Sequence, residues 1–243
     1  MLNAPDVATT AGGPQNHNMF PPVSHRFRAI LFDLDGTLVD TAPDLAGALN
    51  YVLTLEGRPA IDLAAVRSLV GDGARALIER GMAVTGAPAT PQQLEQRFAD
   101  FIDYYGVHIA DESRAFPTVP EVVAALARGA RLAVCTNKPE ALSIRLLDKL
   151  DLAVPFGAVV GGDSLPVRKP HPGHILGTLE RLGVAAGEAI MVGDSYNDVA
   201  SARAAGLPVV AVSFGYTTVP PRQLGADRVI DSFAELPAAL AAL

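Results

Sequence analysis

Short, unbroken apolar runs that stop at polar residues constrain this chain more than any other feature. Ala29-Ile30-Leu31-Phe32, Leu132-Ala133-Val134-Cys135, Ala158-Val159-Val160, Ala189-Ile190-Met191-Val192 and Pro208-Val209-Val210-Ala211-Val212 are continuous rather than alternating, and Val229-Ile230 is a weaker sixth. Strands buried on both faces read this way, which requires helices on each side of a parallel sheet. The segments between supply them: Leu142, Leu146, Leu147 and Leu150 share one helical face, as do Ile175, Leu179 and Leu182. Strand alternating with helix from Arg128 to Leu243 therefore predicts an α/β fold around a doubly wound parallel sheet. In such sheets a ligand sits outside the carboxyl ends of the strands.

The stretch from Thr41 to Arg114 breaks the alternation and shows helical periods only, with Leu63, Val66 and Val70, then Leu77 and Ile78, then Leu94, Phe98 and Tyr105. Pro91 sits where a helix would begin, and Gly71 and Gly73 punctuate the pattern. An all-helical block directly after the first strand's loop reads as an inserted cap. The expected boundaries are a floppy extension over 1–25, a core over 26–40 and 116–243, and a helical cap over 41–115.

With 49% apolar and 19% charged residues in 243, the chain has material for a buried core and is not a disordered protein. A formal charge of −7 argues against binding nucleic acid through phosphate neutralisation. The single Cys135 excludes an internal disulfide. No run approaches the roughly 18 apolar residues that span a membrane, and no targeting pattern precedes the core. The expectation is a cytoplasmic protein with no membrane or nucleic-acid partner, as a monomer or homodimer.

The strand ends carry the chemistry. Asp33 and Asp35 follow the first strand, with Gly36 permitting a tight turn and Thr37 offering a hydroxyl. The second strand runs into Thr136-Asn137-Lys138, and the fourth into Gly193-Asp194-Ser195-Tyr196-Asn197-Asp198. Arg168-Lys169-Pro170 precedes the fourth. A parallel sheet brings these groups to one rim, where Asp33, Asp35, Asp194 and Asp198 would repel unless a cation neutralised them. An all-oxygen site suits Mg²⁺ held by a few carboxylates plus a substrate phosphate. Lys169 is one of only three lysines among 19 basic residues, and a compact ammonium suits a single phosphoryl oxygen.

Asp33-Leu34-Asp35-Gly36-Thr37, Thr136-Asn137, Lys169-Pro170 and Gly193-Asp194-Ser195-x-x-Asp198 together resemble the four ordered motifs of the haloacid dehalogenase superfamily. The resemblance covers nearly the whole chain from Arg28 onward. It implies a Rossmann-like core, a helical cap between the first two motifs, and Mg²⁺-dependent phosphoryl transfer through an aspartyl-phosphate. Carried over, Asp33 is nucleophile and metal ligand. Asp35 is general acid and base and lends the metal its backbone carbonyl. Asp194 is the third protein ligand, with Asp198 close behind it and Thr37 nearby. Thr136 and Lys169 hold the phosphoryl oxygens, and Asn137 belongs to the substrate site.

The second aspartate and Thr37 resemble the phosphatase branch rather than the dehalogenases or mutases. Val39-Asp40-Thr41-Ala42-Pro43-Asp44-Leu45 and Val70-Gly71-Asp72-Gly73-Ala74 resemble the bacterial enzymes acting on 2-phosphoglycolate. That implies a small phosphorylated metabolite; Gly71 and Gly73 would let backbone amides approach its anion, or would simply turn the chain between two helices. Pyrophosphate, a sugar phosphate or a non-catalytic phosphometabolite sensor are the alternatives. Thr118 stands where such relatives commonly place Gly at the cap's return hinge. Arg75 reads as a solvated helix arginine, His171 and His174 as loop and helix-start residues rather than zinc ligands, and Cys135 as a buried small hydrophobe. Ser195 lacks the Gly-x-Ser-x-Gly elbow.

Overall fold

Every apolar run singled out above forms a strand of one sheet. The computed structural model describes residues 26–243, so the extension expected over 1–25 lies outside the described residues. The chain runs β1 (Ala29–Phe32), β2 (Val39–Asp40), α1 (Ala42–Leu55), α2 (Leu63–Arg67), α3 (Ala74–Thr85), α4 (Pro91–Val107), β3 (Arg114–Ala115) and α5 (Val119–Leu126). It continues through β4 (Arg131–Cys135), α6 (Glu140–Lys149), β5 (Phe156–Val160), α7 (Pro172–Leu182), β6 (Ala189–Gly193), α8 (Tyr196–Ala204), β7 (Val209–Val212), β8 (Arg228–Ile230) and α9 (Leu236–Ala241). Six strands pair in the order β5-β4-β1-β6-β7-β8, all parallel. This is the doubly wound order, with the chain reversing direction across the sheet at β1.

Side-chain size separates the two faces. Ile30, Phe32, Leu132, Val134, Ile190, Val192, Val210 and Val212 project to one side, into the larger core with Phe233 and Leu240. Ala29, Leu31, Ala133, Cys135, Ala189, Met191, Val209 and Ala211 project to the other. The small residues on that second face let α7 lie close against β4 and β5, and α8 against β6 and β7. Helix α7 buries Ile175, Leu179 and Leu182 there. It begins where His171 Nδ1 accepts a hydrogen bond from Gly173 N at 3.0 Å and stops at Gly183, whose φ of 64° is left-handed.

Helices α1 to α4 lie between β2 and β3. Helix α4 starts at Pro91 behind a Thr90–Gln93 capping box. Leu45, Leu49, Val52 and Leu53 are the buried face of α1. Gly81 of α3 lies so close to it that a Cβ would sit 2.7 Å from a Leu49 methyl, and Tyr51 stacks on Tyr104 of α4 at 4.4 Å between ring centroids. Strands β2 and β3 pair antiparallel at the block's two ends, Val39 with Ala115 and Asp40 with Arg114. Two-residue strands leave no period to read, which is why helical patterns alone were visible. Buried Asp44 adds a second tie, accepting from Ser113 N at 2.8 Å and Ser113 Oγ at 2.6 Å. Among the described residues no helix is long and apolar enough to cross a membrane.

Candidate active site

Strands β1 and β6 lie side by side at the sheet's switch point, and each delivers an aspartate from its carboxyl end. Asp33 N donates to Val192 O at 2.9 Å, continuing the β1–β6 ladder into the loop. The chain then turns through Gly36 at φ 83°, where a Cβ would sit 2.6 Å from Asp194 Oδ2. Glycine is needed there for both reasons. Thr37 Oγ1 donates to Asp194 Oδ1 at 3.3 Å, and Tyr216 N donates to Asp194 Oδ2 at 2.7 Å.

Asp198 sits in the first turn of α8 and folds back on the loop before it. Its Oδ2 accepts from Ser195 N at 3.0 Å, Ser195 Oγ at 2.8 Å and Asp194 N at 3.2 Å. Its Oδ1 accepts from Lys169 Nζ at 2.6 Å. Ser195 is thus part of a helix cap, in keeping with the absence of a hydrolase elbow. The Lys169 ammonium also lies 3.0 Å from the buried Asp33 Oδ1, so it bridges the two carboxylates.

One oxygen from each of Asp33, Asp194 and Asp198 lies within 4.8 Å of the others. Three carboxylates against the one Lys169 ammonium leave excess negative charge out of water. Burial is the largest influence on Asp33 and raises it to about 6; Lys169 opposes the rise while Asp198 and Asp35 add to it. Burial, then Asp198 and Asp33, lift Asp194 well above the usual carboxylate range. Burial alone would lower Lys169, but Asp198 and Asp33 more than offset it and hold the ammonium protonated. An all-oxygen cluster with three carboxylates around a single ammonium fits a hard divalent cation. Asp35 stands outside the cluster: its carboxylate accepts from Lys138 Nζ at 3.0 Å.

A cavity of about 40 Å³ opens over this rim. The core supplies Asp33, Asp35, Thr136, Asn137 and Lys138; α1, α3 and α4 contribute Leu45, Leu77, Phe101 and Tyr105. Thr136 is buried, with its hydroxyl accepting from Lys138 N at 3.2 Å. The loop between α2 and α3 closes one side. Gly71 at φ 127° and Gly73 at φ 86° line the cavity, and a carbonyl helps to fasten their loop. Gly71 O accepts from Asn137 Nδ2 at 3.3 Å and from Asn197 Nδ2 at 3.2 Å. Asn137 Nδ2 also donates to Lys169 O at 3.0 Å, so that amide braces the rim.

Sequence reasoning missed the roles of Lys138, Tyr105, Tyr216 and Asn197. Lys138 was noted only as a strand-end residue, yet its ammonium bonds Asp35 and, at 2.7 Å, the Tyr105 hydroxyl. The Tyr216 hydroxyl accepts from Thr41 N at 2.7 Å and donates to Asp40 Oδ1 at 2.5 Å, so one tyrosine joins Asp194 to the start of α1. Asn197 reaches across to Asp72 Oδ1 at 2.6 Å. The local signal for these was slight: a lysine after Thr136-Asn137, and a Gly-Tyr pair beyond the fifth sheet strand. Arg75 pairs with Glu95 and lies over the Phe98 ring, outside the cavity. Burial raises the Cys135 thiol to about 11, as suits an inert packing residue.

The chain is similar to proteins already known. The Haloacid dehalogenase-like hydrolase family profile matches residues 30–212. The chain is 51% identical over 211 residues to the phosphoglycolate phosphatase of Caulobacter vibrioides, spanning 86% of this chain and 89% of that one. It is 44% identical over 211 residues to the phosphoglycolate phosphatase of Agrobacterium fabrum, spanning 86% and 91%. The crystal structure of a predicted phosphoglycolate phosphatase from Haemophilus somnus 129PT superposes with a TM-score of 0.83 at 34% identity, over 88% of this chain and 98% of that one.

Proposed function

We propose, since this chain belongs to the haloacid dehalogenase-like hydrolase family, that it is a Mg²⁺-dependent phosphatase hydrolysing 2-phosphoglycolate to glycolate and phosphate. The phosphoglycolate phosphatases among its relatives support the substrate. The Asp33 carboxylate, buried beside one ammonium and two further carboxylates and lining a small cavity, carries the chemistry. It has the environment a carboxylate nucleophile needs: desolvated, positioned and next to a fixed cation.

In this reading Asp33 attacks phosphorus while the phosphorus–oxygen bond to glycolate breaks, and Asp35 gives its proton to the departing oxygen. Asp35 then takes a proton from water as that water's oxygen attacks the phosphorus of the aspartyl-phosphate. The Asp33–phosphorus bond breaks, phosphate leaves and the carboxylate returns. Lys169 and Thr136 hold phosphoryl oxygens throughout, which is most of what phosphoryl transfer asks of a protein. Asp33 and Asp194, with the Asp35 carbonyl, would hold the metal. When bound, Mg²⁺ neutralises the carboxylates and the developing phosphoryl charge. Asp198 fixes Lys169 and the loop carrying Asp194. Residues 41–115 act as a cap, and closure of the Gly71 loop onto Asn137 and Asn197 excludes water and larger phosphates.

The test is phosphate release with Mg²⁺ from 2-phosphoglycolate, pyrophosphate, several sugar phosphates and p-nitrophenyl phosphate. The highest kcat/KM should fall to 2-phosphoglycolate, and Asp33→Asn should cut release by at least about a thousandfold. A different preferred compound would sink the substrate assignment, and an active Asp33→Asn variant would sink the nucleophile.

A further inference from the structure

A substrate with a phosphate at one end and a carboxylate one methylene beyond the ester oxygen must put a second anion into the cavity beyond Asp33. The side of that cavity facing α1, α3 and α4 is apolar, with Leu45, Leu77, Phe101 and, from the core, Leu142. An unpaired carboxylate there loses its hydration without compensation. Lys169 is already committed to Asp198 and Asp33, and Arg75 is turned outward to Glu95. Of the described side chains lining the cavity, Lys138 is the one cation.

We propose that Lys138 is the specificity-determining residue that receives the substrate's carboxylate. Its side chain is only 3% exposed, and its ammonium is aimed by contacts at 3.0 Å to Asp35 and 2.7 Å to the Tyr105 hydroxyl. It also stands 4.4 Å from the centroid of the Tyr105 ring. Asp33, Asp35 and Lys138 line the same cavity of about 40 Å³, so the ammonium and the nucleophile face one small space. Lys138 already holds one carboxylate at this spot, and a compact ammonium with three donors can share or exchange it for another. Tyr105 comes from α4, so the pocket that reads the carboxylate is complete only when that helix faces the core. A phosphate ester without the second anion gains nothing from Lys138.

The inference rests on the phosphatase reading for its substrate, and the experiment separates the two. Rates with 2-phosphoglycolate and with ethyl phosphate, which lacks the carboxylate, are compared for the unaltered protein, Lys138→Met and Tyr105→Phe. Lys138→Met should lower the preference for 2-phosphoglycolate over ethyl phosphate, as a ratio of kcat/KM, by about 100-fold, mainly through KM. Tyr105→Phe, which keeps the ring and the packing, should lower it by about fivefold. Changes common to both substrates report on Asp35 and cancel in the ratio. A ratio unmoved within about threefold in Lys138→Met would overturn the assignment. Calorimetric binding of the same two compounds to Asp33→Asn, with and without Lys138→Met, gives the answer without turnover. If the unaltered protein releases no phosphate yet Lys138→Met still abolishes preferential binding of 2-phosphoglycolate, the phosphatase reading falls and the carboxylate site stands. Equal binding of both compounds to Asp33→Asn would remove the site.

Discussion

His174 gives the fold an acid-sensitive point that can be measured apart from any chemistry at the rim. It lies in α7, fully buried, with Nε2 bonded at 3.0 Å to Gly161 O and Nδ1 3.8 Å from Cys135 Sγ. A carbonyl only accepts, so Nε2 carries the hydrogen and Nδ1 is left as the acceptor. Burial, followed by the nearby Lys169 charge, lowers the imidazole from 6.5 to about 4. The native state therefore keeps His174 neutral where the unfolded chain would protonate it. Stability is fully present above the unfolded value of 6.5 and is lost as pH falls from there towards about 4. Weighing the two protonation equilibria gives a loss of about 2 kcal/mol between about pH 7 and about pH 5. The assay is urea unfolding of the unaltered protein and His174→Gln, which is neutral throughout, at both pH values. Carboxylate effects are common to both proteins, so the stability difference between them should move by about 2 kcal/mol in favour of the variant on acidification. A difference constant within about 0.5 kcal/mol would refute the argument, because it would mean that His174 titrates alike in both states.

Thr118 holds φ 67°, a left-handed conformation costly for a β-branched residue, and its buried hydroxyl has no hydrogen-bond partner among the described residues. Thr118→Gly should stabilise the protein by about 1 kcal/mol after the entropy of the unfolded glycine is counted, read as a higher urea midpoint. Saturating Mg²⁺ should raise stability by about 3 kcal/mol at a hundred times its dissociation constant, and EDTA should reverse the gain and stop turnover; an unfolding midpoint indifferent to both would count against the cation site. Asn197→Ala removes donors to Gly71 O and Asp72. Proteolysis between α2 and α3 should quicken about fivefold, and an unchanged rate would mean that the loop is held elsewhere.

The sheet and its carboxyl-edge aspartates were legible because each is local. A strand buried on both faces must be apolar along its whole length, and Asp33 or Asp194 then follows it by one residue. The run lengths gave six strands, and the helical stripes of α6 and α7 lay where periodicity put them. Asp198 was readable for the same reason, since it caps the helix that Ser195 begins. The small-residue face of the sheet is also written in the runs themselves, at Ala29, Ala133 and Ala189.

Other features arise only when distant segments meet. Lys138 and Asp35 are 103 positions apart, Lys138 and Tyr105 33, and Tyr216 and Thr41 175. No period or spacing encodes such pairings, because hydrogen bonds and ion pairs depend on separation in space and leave no repeat in the chain. Arg75, read as solvated, needed the fold to supply Glu95 as its partner, and Asn137 needed it to supply the Gly71 carbonyl. By itself the sequence determined which residues end the strands and what chemistry they offer. The tertiary structure decided which cations those carboxylates receive, because Lys138 follows β4 and Lys169 precedes α7, and only the packing of those two loops against β1 and α8 brings the ammonium groups within about 3 Å.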